Sequence, residues 1–181
     1  MEFFKIRAVA SIFIVLLLCS PQILAYDSVD SFFQNDAKFK VLVFLSRSCP
    51  CSRSHVDHLN GLDKKYKEVA FFGVITDIFN EASKDDIQKY YAGRNFQFPL
   101  VKDESQTLIK EYKALKTPHS VLLQRTAQGT YNVVYEGGVT NRRDFSTSTQ
   151  KFLGENLEAI TQNKPIVYRA GKSLGCYIRR I

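Results

Sequence analysis

A chain of 181 residues, 45% of them hydrophobic and 24% charged, supplies one domain's worth of material with enough apolar content for a real core. Its formal charge of +7 is dispersed among acidic residues, as in Asp63-Lys-Lys-Tyr-Lys-Glu68, and the aromatic residues follow the hydrophobic pattern, not a basic stripe. That pattern argues against a nucleic-acid partner and leaves at most a weak attraction to anionic surfaces.

The chain opens with Lys5 and Arg7, followed by an uncharged apolar run, Ala8 to Leu18, then the helix breaker Pro21 and the small residue Ala25. Positive, apolar and small-residue regions in this order predict an export signal over residues 1–25. The run is too short to span a bilayer comfortably, which takes about 20 apolar residues, so no stable membrane insertion is expected once the signal is cleaved. Cys19 falls inside this segment. The expected destination is the bacterial periplasm, otherwise secretion.

Residues 26–166 read as a single domain. Lys40 to Ser46 is a short run of β-formers of the kind found in buried central strands. Val56, Leu59, Leu62 and Tyr66 recur at helical spacing, predicting a helix over about 52–67. Glu68 to Asp77 is a second buried strand. Asn80 is placed to cap a helix carrying Ile87, Tyr90 and Tyr91, and Phe98 to Asp103 is extended. Ser105 is placed to cap a helix with Leu108, Ile109, Tyr112 and Leu115 on one face. Ser120–Gln124 and Tyr131–Tyr135, joined through Gln128-Gly129, predict a hairpin. A last helix is expected from about Arg143 to Asn163, and an irregular tail over residues 167–181. Strands alternating with helices and closed by a hairpin predict an α/β protein with a central mixed sheet flanked by helices.

Cysteine is the informative residue. Beyond the signal there are three, Cys49, Cys51 and Cys176, an odd number that leaves either an unpaired thiol or a set that exchanges. Cys49 and Cys51 stand where the first strand hands over to a helix. A cysteine there faces unpaired backbone N–H groups and the positive end of the helix dipole, which favour the reactive thiolate. Arg47 and Arg53 add positive charge, and no carboxylate lies within several residues. The single residue between Cys49 and Cys51 makes any disulfide between them a tight, easily reduced ring; otherwise each thiol seeks another partner. Cys176 sits in a tail whose Gly171 and Gly175 permit close return of the backbone. It is a candidate to resolve a mixed disulfide or sulfenate on Cys49 or Cys51, with a static bridge or an unpaired thiol as the other options.

The segment Val41-Leu-Val-Phe-Leu-Ser-Arg-Ser-Cys-Pro-Cys-Ser52, Phe98-Pro99, Asp103, Thr117-Pro118-His119 and the closing Gly175-Cys-Tyr-Ile178 resemble the thioredoxin superfamily. Within it they resemble the redoxin branch, related to the alkyl hydroperoxide reductase/thiol-specific antioxidant proteins. The resemblance implies a thioredoxin-like fold, a nucleophilic Cys49, and Ser52 in place of the second cysteine of a C-x-x-C motif, with Cys51 offset by one. It also implies a cis-proline at Pro118, flanked by Thr117 and His119, presenting backbone groups to an extended substrate. The function implied is thiol–disulfide exchange through Cys49 and Cys51 without a cofactor, with Cys176 a candidate third thiol of the site. Its partners would be a thiol or disulfide substrate, protein or small molecule, and a redox partner that recharges the site.

Two alternatives come from the same residues. Ser46-x-x-Cys49 resembles a peroxiredoxin motif, although Leu42 stands where that motif carries proline. Cys51, His55 and His58 lie along one face of a helix and, with His119 near Pro118, suggest a soft sulfur and nitrogen site for copper or zinc. More simply, His119 would tune the Cys49 thiolate electrostatically.

Overall fold

The computed structural model describes residues 26–77 and 84–181. The expected export signal, with Cys19, and the Asn80 cap lie outside them. After a short helix α1 (Val29–Gln34), the first strand β1 (Phe39–Leu45) is buried along its whole length. Two helices, α2 (Pro50–Ser54) and α3 (Val56–Lys65), lead to β2 (Val69–Ile75). Then come α4 (Lys84–Ala92), β3 (Leu100–Lys102) and α5 (Thr107–Glu111). The short β4 (Lys116–Thr117) precedes the hairpin β5 (His119–Arg125) and β6 (Tyr131–Gly137). A 3-10 turn (Phe145–Thr147), α6 (Phe152–Thr161) and a two-residue β7 (Cys176–Tyr177) complete the described elements.

The main sheet has the order β3-β2-β1-β5-β6. β1, β2 and β3 run parallel, whereas β5 lies antiparallel to both β1 and β6. Because side chains alternate along a strand, β1 feeds two cores. Val41, Val43 and Leu45 face Leu59, Leu62, Ile87, Tyr91, Leu153 and Leu157, and Leu42 and Phe44 join Phe32, Leu108 and Ile109 on the other side. Helices therefore cover both faces of a mixed sheet, a thioredoxin-like α/β arrangement. The buried Lys40 is accommodated within the second core. Its Nζ donates to the Phe32 carbonyl at 2.8 Å and sits 4.1 Å from the Tyr131 ring centroid, which keeps the cation partnered. Among the described residues no helix is long and apolar enough to cross a membrane.

Three helices differ from expectation, each for a local reason. The helix expected over 52–67 breaks at His55. There the imidazole Nδ1 donates to the Cys51 carbonyl at 2.7 Å, taking the acceptor that the His55 backbone N–H would use in a continuous helix; that N–H turns to Ser52 O. The helix expected from Arg143 starts only at Phe152. Asp144 accepts from the Ser146 N–H, and Asn141 Oδ1 accepts from Thr149 and Gln150 N–H, so side chains compete with the backbone for the first turns. α5 is capped not by Ser105, whose hydroxyl meets only that of Thr107, but by Asp103, whose carboxylate accepts from Leu108 and Ile109 N–H at 3.2 and 2.9 Å. Leu115, expected on that helix, lies beyond its end and is exposed.

The tail, expected to be irregular, is docked. Glu136 N–H donates to Arg169 O and Gly171 N–H to Glu136 O, so the tail runs beside the end of β6. Gly137, at φ +145°, makes that approach feasible, since a Cβ there would overlap the Gly171 backbone. Further on, β7 pairs antiparallel with β4, matching Thr117 with Cys176 and Lys116 with Tyr177. Ile178 enters the second core, and Arg180 and Gln106 bind backbone carbonyls across the joint.

Candidate active site

Cys49 is the N-cap residue of α2, with Pro50 in the first helical position, where a missing N–H costs nothing. The Cys49 carbonyl accepts from Arg53 N–H, and its own N–H donates to Ser46 O. The thiol is 0% exposed and donates to the Thr117 carbonyl at 3.1 Å. The Thr117–Pro118 peptide is cis. Cys49 thus lies between the start of α2 and the residue preceding the cis-proline, with Cys176 brought over it by the β4–β7 pairing.

The three thiols form one cluster with unequal acidities. Burial raises the Cys49 pKa, but hydrogen bonds available to its thiolate outweigh it. These come from the Thr117 side chain, the Cys176 and Ser52 backbone and the Cys176 thiol, and the balance brings Cys49 down to about 7. The Thr117 hydroxyl is buried and has no hydrogen-bond partner while Cys49 is a thiol, which leaves it free to serve the thiolate. Cys51 is pushed up to about 11 by burial and then by the charge and hydrogen bonding of Cys49. Cys176 is raised first by its hydrogen bond to Cys49 and next by burial. At neutral pH the cluster therefore concentrates its negative charge on Cys49, with the other two thiols protonated around it.

The source of the positive field differs from expectation. The leading causes that lower Cys49 are hydrogen bonds and not the charges of Arg47 and Arg53; Arg143 is a cation that acts on the cluster, lowering both Cys51 and Cys176. The irregular 141–150 segment carries Arg143 to a cleft of about 390 Å³ lined also by Pro50, Cys51, Ser54, Gly175 and Cys176. Cys51 and Cys176 are reached from this cleft, whereas Cys49 is sealed. Sequence spacing hides Arg143, because it lies far from the cysteines along the chain. Ser52, in the position of the second cysteine of a C-x-x-C motif, is buried and accepts from Ser46 N–H at 3.3 Å.

His119 does not act as a charge beside Cys49. Burial lowers its pKa to about 4, and its Nδ1 is hydrogen-bonded to Ser173 Oγ at 2.9 Å. Nor do Cys51, His55 and His58 converge as ligands. His55 spends Nδ1 on the Cys51 carbonyl and accepts from the Thr140 hydroxyl at Nε2, while His58 stacks on Phe145 with ring centroids 4.4 Å apart. Among the described residues no three His, Cys, Asp or Glu side chains are grouped to hold a metal ion. Ser46, the residue that suggested a peroxiredoxin motif, directs its hydroxyl to Asp77 Oδ1 at 3.1 Å and to Ser48.

The architecture has counterparts among solved structures. An uncharacterized conserved protein from Geobacillus kaustophilus superposes with a TM-score of 0.68 at 24% identity, over 80% of this chain and 78% of that one. A hypothetical protein from Sinorhizobium meliloti gives a TM-score of 0.65 at 20% identity, over 81% of each chain. Both likenesses are of fold. No curated protein matches the sequence. The AhpC/TSA family model matches residues 27–145, a span that holds Cys49, Cys51, the cis-proline and Arg143; this chain belongs to the AhpC/TSA family.

Proposed function

We propose that the protein is an exported thiol–disulfide oxidoreductase in which Cys49 is the nucleophile and Cys176 the thiol that resolves its mixed disulfide. The observation that carries this reading is the buried Cys49 thiol held against the Thr117 carbonyl beside the cis-proline, with Cys176 matched to Thr117 by the β4–β7 pairing; the depressed Cys49 pKa agrees with it. In this reading residues 1–25 are the export signal, residues 26–166 the thioredoxin-like domain and residues 167–181 a functional tail. The setting is the periplasm or the cell exterior, where disulfides persist.

In the first step the Cys49 thiolate attacks one sulfur of a substrate disulfide. A Cys49–substrate disulfide forms and the other substrate sulfur leaves as a thiolate. Cys49 then carries no charge, which removes the main cause raising Cys176, its hydrogen bond to Cys49. Burial, the main cause raising Cys51, persists. Cys176 therefore becomes the more available attacking thiolate, Arg143 favouring that state. Its attack on Cys49 Sγ forms a Cys49–Cys176 disulfide and expels the second substrate thiolate. A dithiol partner returns the enzyme to the reduced state; run in reverse, the same steps donate a disulfide. Cys51, opening onto the cleft, is the secondary resolving thiol.

The test is reduction of a protein disulfide by the purified protein. Cys49→Ser is expected to lower the rate at least about a hundredfold, as loss of a nucleophile does. Cys176→Ser is expected to accumulate the Cys49 mixed disulfide, and Cys51→Ser to retain most of the activity. Undiminished activity in Cys49→Ser overturns the proposal.

A further inference from the structure

The edge of β4 beside the cis-proline is already occupied, by the protein's own tail. Cys176 and Tyr177 pair with Thr117 and Lys116, and Ile178 N–H donates to Leu115 O at 2.9 Å. Gly175 passes so close to the nucleophile that a Cβ placed on it would lie 3.4 Å from Cys49 Sγ. With Cys49 0% exposed, no external disulfide reaches it while the tail is seated.

We propose that the tail from Ser173 to Ile181 is a displaceable internal occupant of the substrate edge, and that protein substrates enter as an extended strand of the same pattern: small residue, cysteine, aromatic, aliphatic. The inference rests on the exchange reading above and adds the substrate class. Main-chain pairing supplies sequence-tolerant affinity, and the alternate side chains supply selection. At the position of Gly175 a side chain is excluded, because a Cβ would overlap the Thr117 carbonyl oxygen. The next residue is matched with Thr117 and meets Cys49. The following ring lies against a cation, with Lys116 Nζ 4.4 Å from the Tyr177 centroid, and is itself 76% exposed. The fourth residue joins the cluster of Leu108, Ile109 and Ala114.

The tail remains tethered when it leaves, since Arg169 and Gly171 bond to Glu136 independently of β7. It re-enters at high local concentration. Return of the strand brings Cys176 back to Cys49, so that resolution of the mixed disulfide and expulsion of the substrate strand are one event. Atoms and electrons balance within the exchange: each new sulfur–sulfur bond forms as another breaks, and one thiolate leaves.

The test compares the full chain with Gly175→Val, which cannot seat the tail, and with Arg180→Glu, which loses the hydrogen bonds to the Ala114 and Ile109 carbonyls. Iodoacetamide labelling of Cys49, mapped by mass spectrometry, is expected to accelerate about tenfold or more in Gly175→Val and severalfold in Arg180→Glu, as undocking exposes the thiol. A second arm uses a synthetic peptide copying residues 173–181, its cysteine activated as an aryl disulfide. Cys49 displaces the coloured aryl thiolate faster in the undocked variants than in the wild type, and a peptide with valine for its glycine reacts about tenfold more slowly. Equal Cys49 labelling in the wild type and both variants overturns the inference, as does indifference to the peptide glycine. Should Gly175→Val lose its cooperative melt, Arg180→Glu carries the same comparison. Either failure with protein-disulfide reduction intact sinks the tail alone; absence of that reduction in the wild type sinks the exchange reading.

Discussion

The acidity of Cys49 is set by a few donors at fixed positions. The Thr117 hydroxyl is the leading one. The Cys49 thiolate, followed by its ultraviolet absorbance in the wild-type protein with the tail seated, should therefore form with a midpoint near 7, and Thr117→Val should move that midpoint upward by about one unit, since a thiolate that loses a donor binds its proton more tightly. An unchanged midpoint would remove Thr117 from the site. The histidines act on stability instead. Burial pushes His119 down to about 4, and burial with the charge of Lys151 does the same to His58. The unfolded chain takes up these protons near pH 6.5, the folded chain only near 4. Stability is thus present at neutral pH and is lost as pH falls from 6.5 toward 4. Urea unfolding at pH 7 and pH 5 should differ by on the order of 1–2 kcal/mol for His119, and His119→Asn should flatten that dependence. At this scale Cys49 was legible in the sequence, because its position between strand and helix follows from local pattern. Arg143 was not, because only the folded 141–150 loop brings it to the thiols.

Elements were legible where periodicity alone decides them. The buried run at β1, the strand β2 and the hairpin of β5 and β6 sit where apolar spacing placed them. Helix boundaries were less legible, because side chains override the backbone there. The His55 imidazole takes a carbonyl from its own helix, and Asp144 with Asn141 diverts the first turns expected of α6. Asp103 shows the same effect in a stabilising direction. Its carboxylate holds two backbone N–H groups of α5, so Asp103→Ala should cost about 1–2 kcal/mol, the usual value of a lost cap. The measurement is a denaturant midpoint. A wild-type midpoint in that variant would mean the cap contributes nothing, and because α5 packs beside Ile178 in the second core, tail docking should weaken with it.

For the whole molecule, a mixed sheet covered by helices followed from the alternation of elements, whereas the strand order β3-β2-β1-β5-β6 is seen only in the fold. The tail was the least legible part. Its few apolar residues have no period, and its structure consists of pairings to β4 and β6 that exist only once the domain has formed. Yet this segment completes the thiol cluster, bringing Cys176 to Cys49 across the edge beside the cis-proline. If Cys49 is the exchanging thiol and Cys176 its partner, a redox titration of the protein with thiol counting and peptide mapping at each potential reveals the pair directly. Of the thiols of Cys49, Cys51 and Cys176, all free in the reduced protein, Cys49 and Cys176 are expected to disappear together into one disulfide while Cys51 stays free. A Cys49 thiol that remains free at every potential would contradict this pairing.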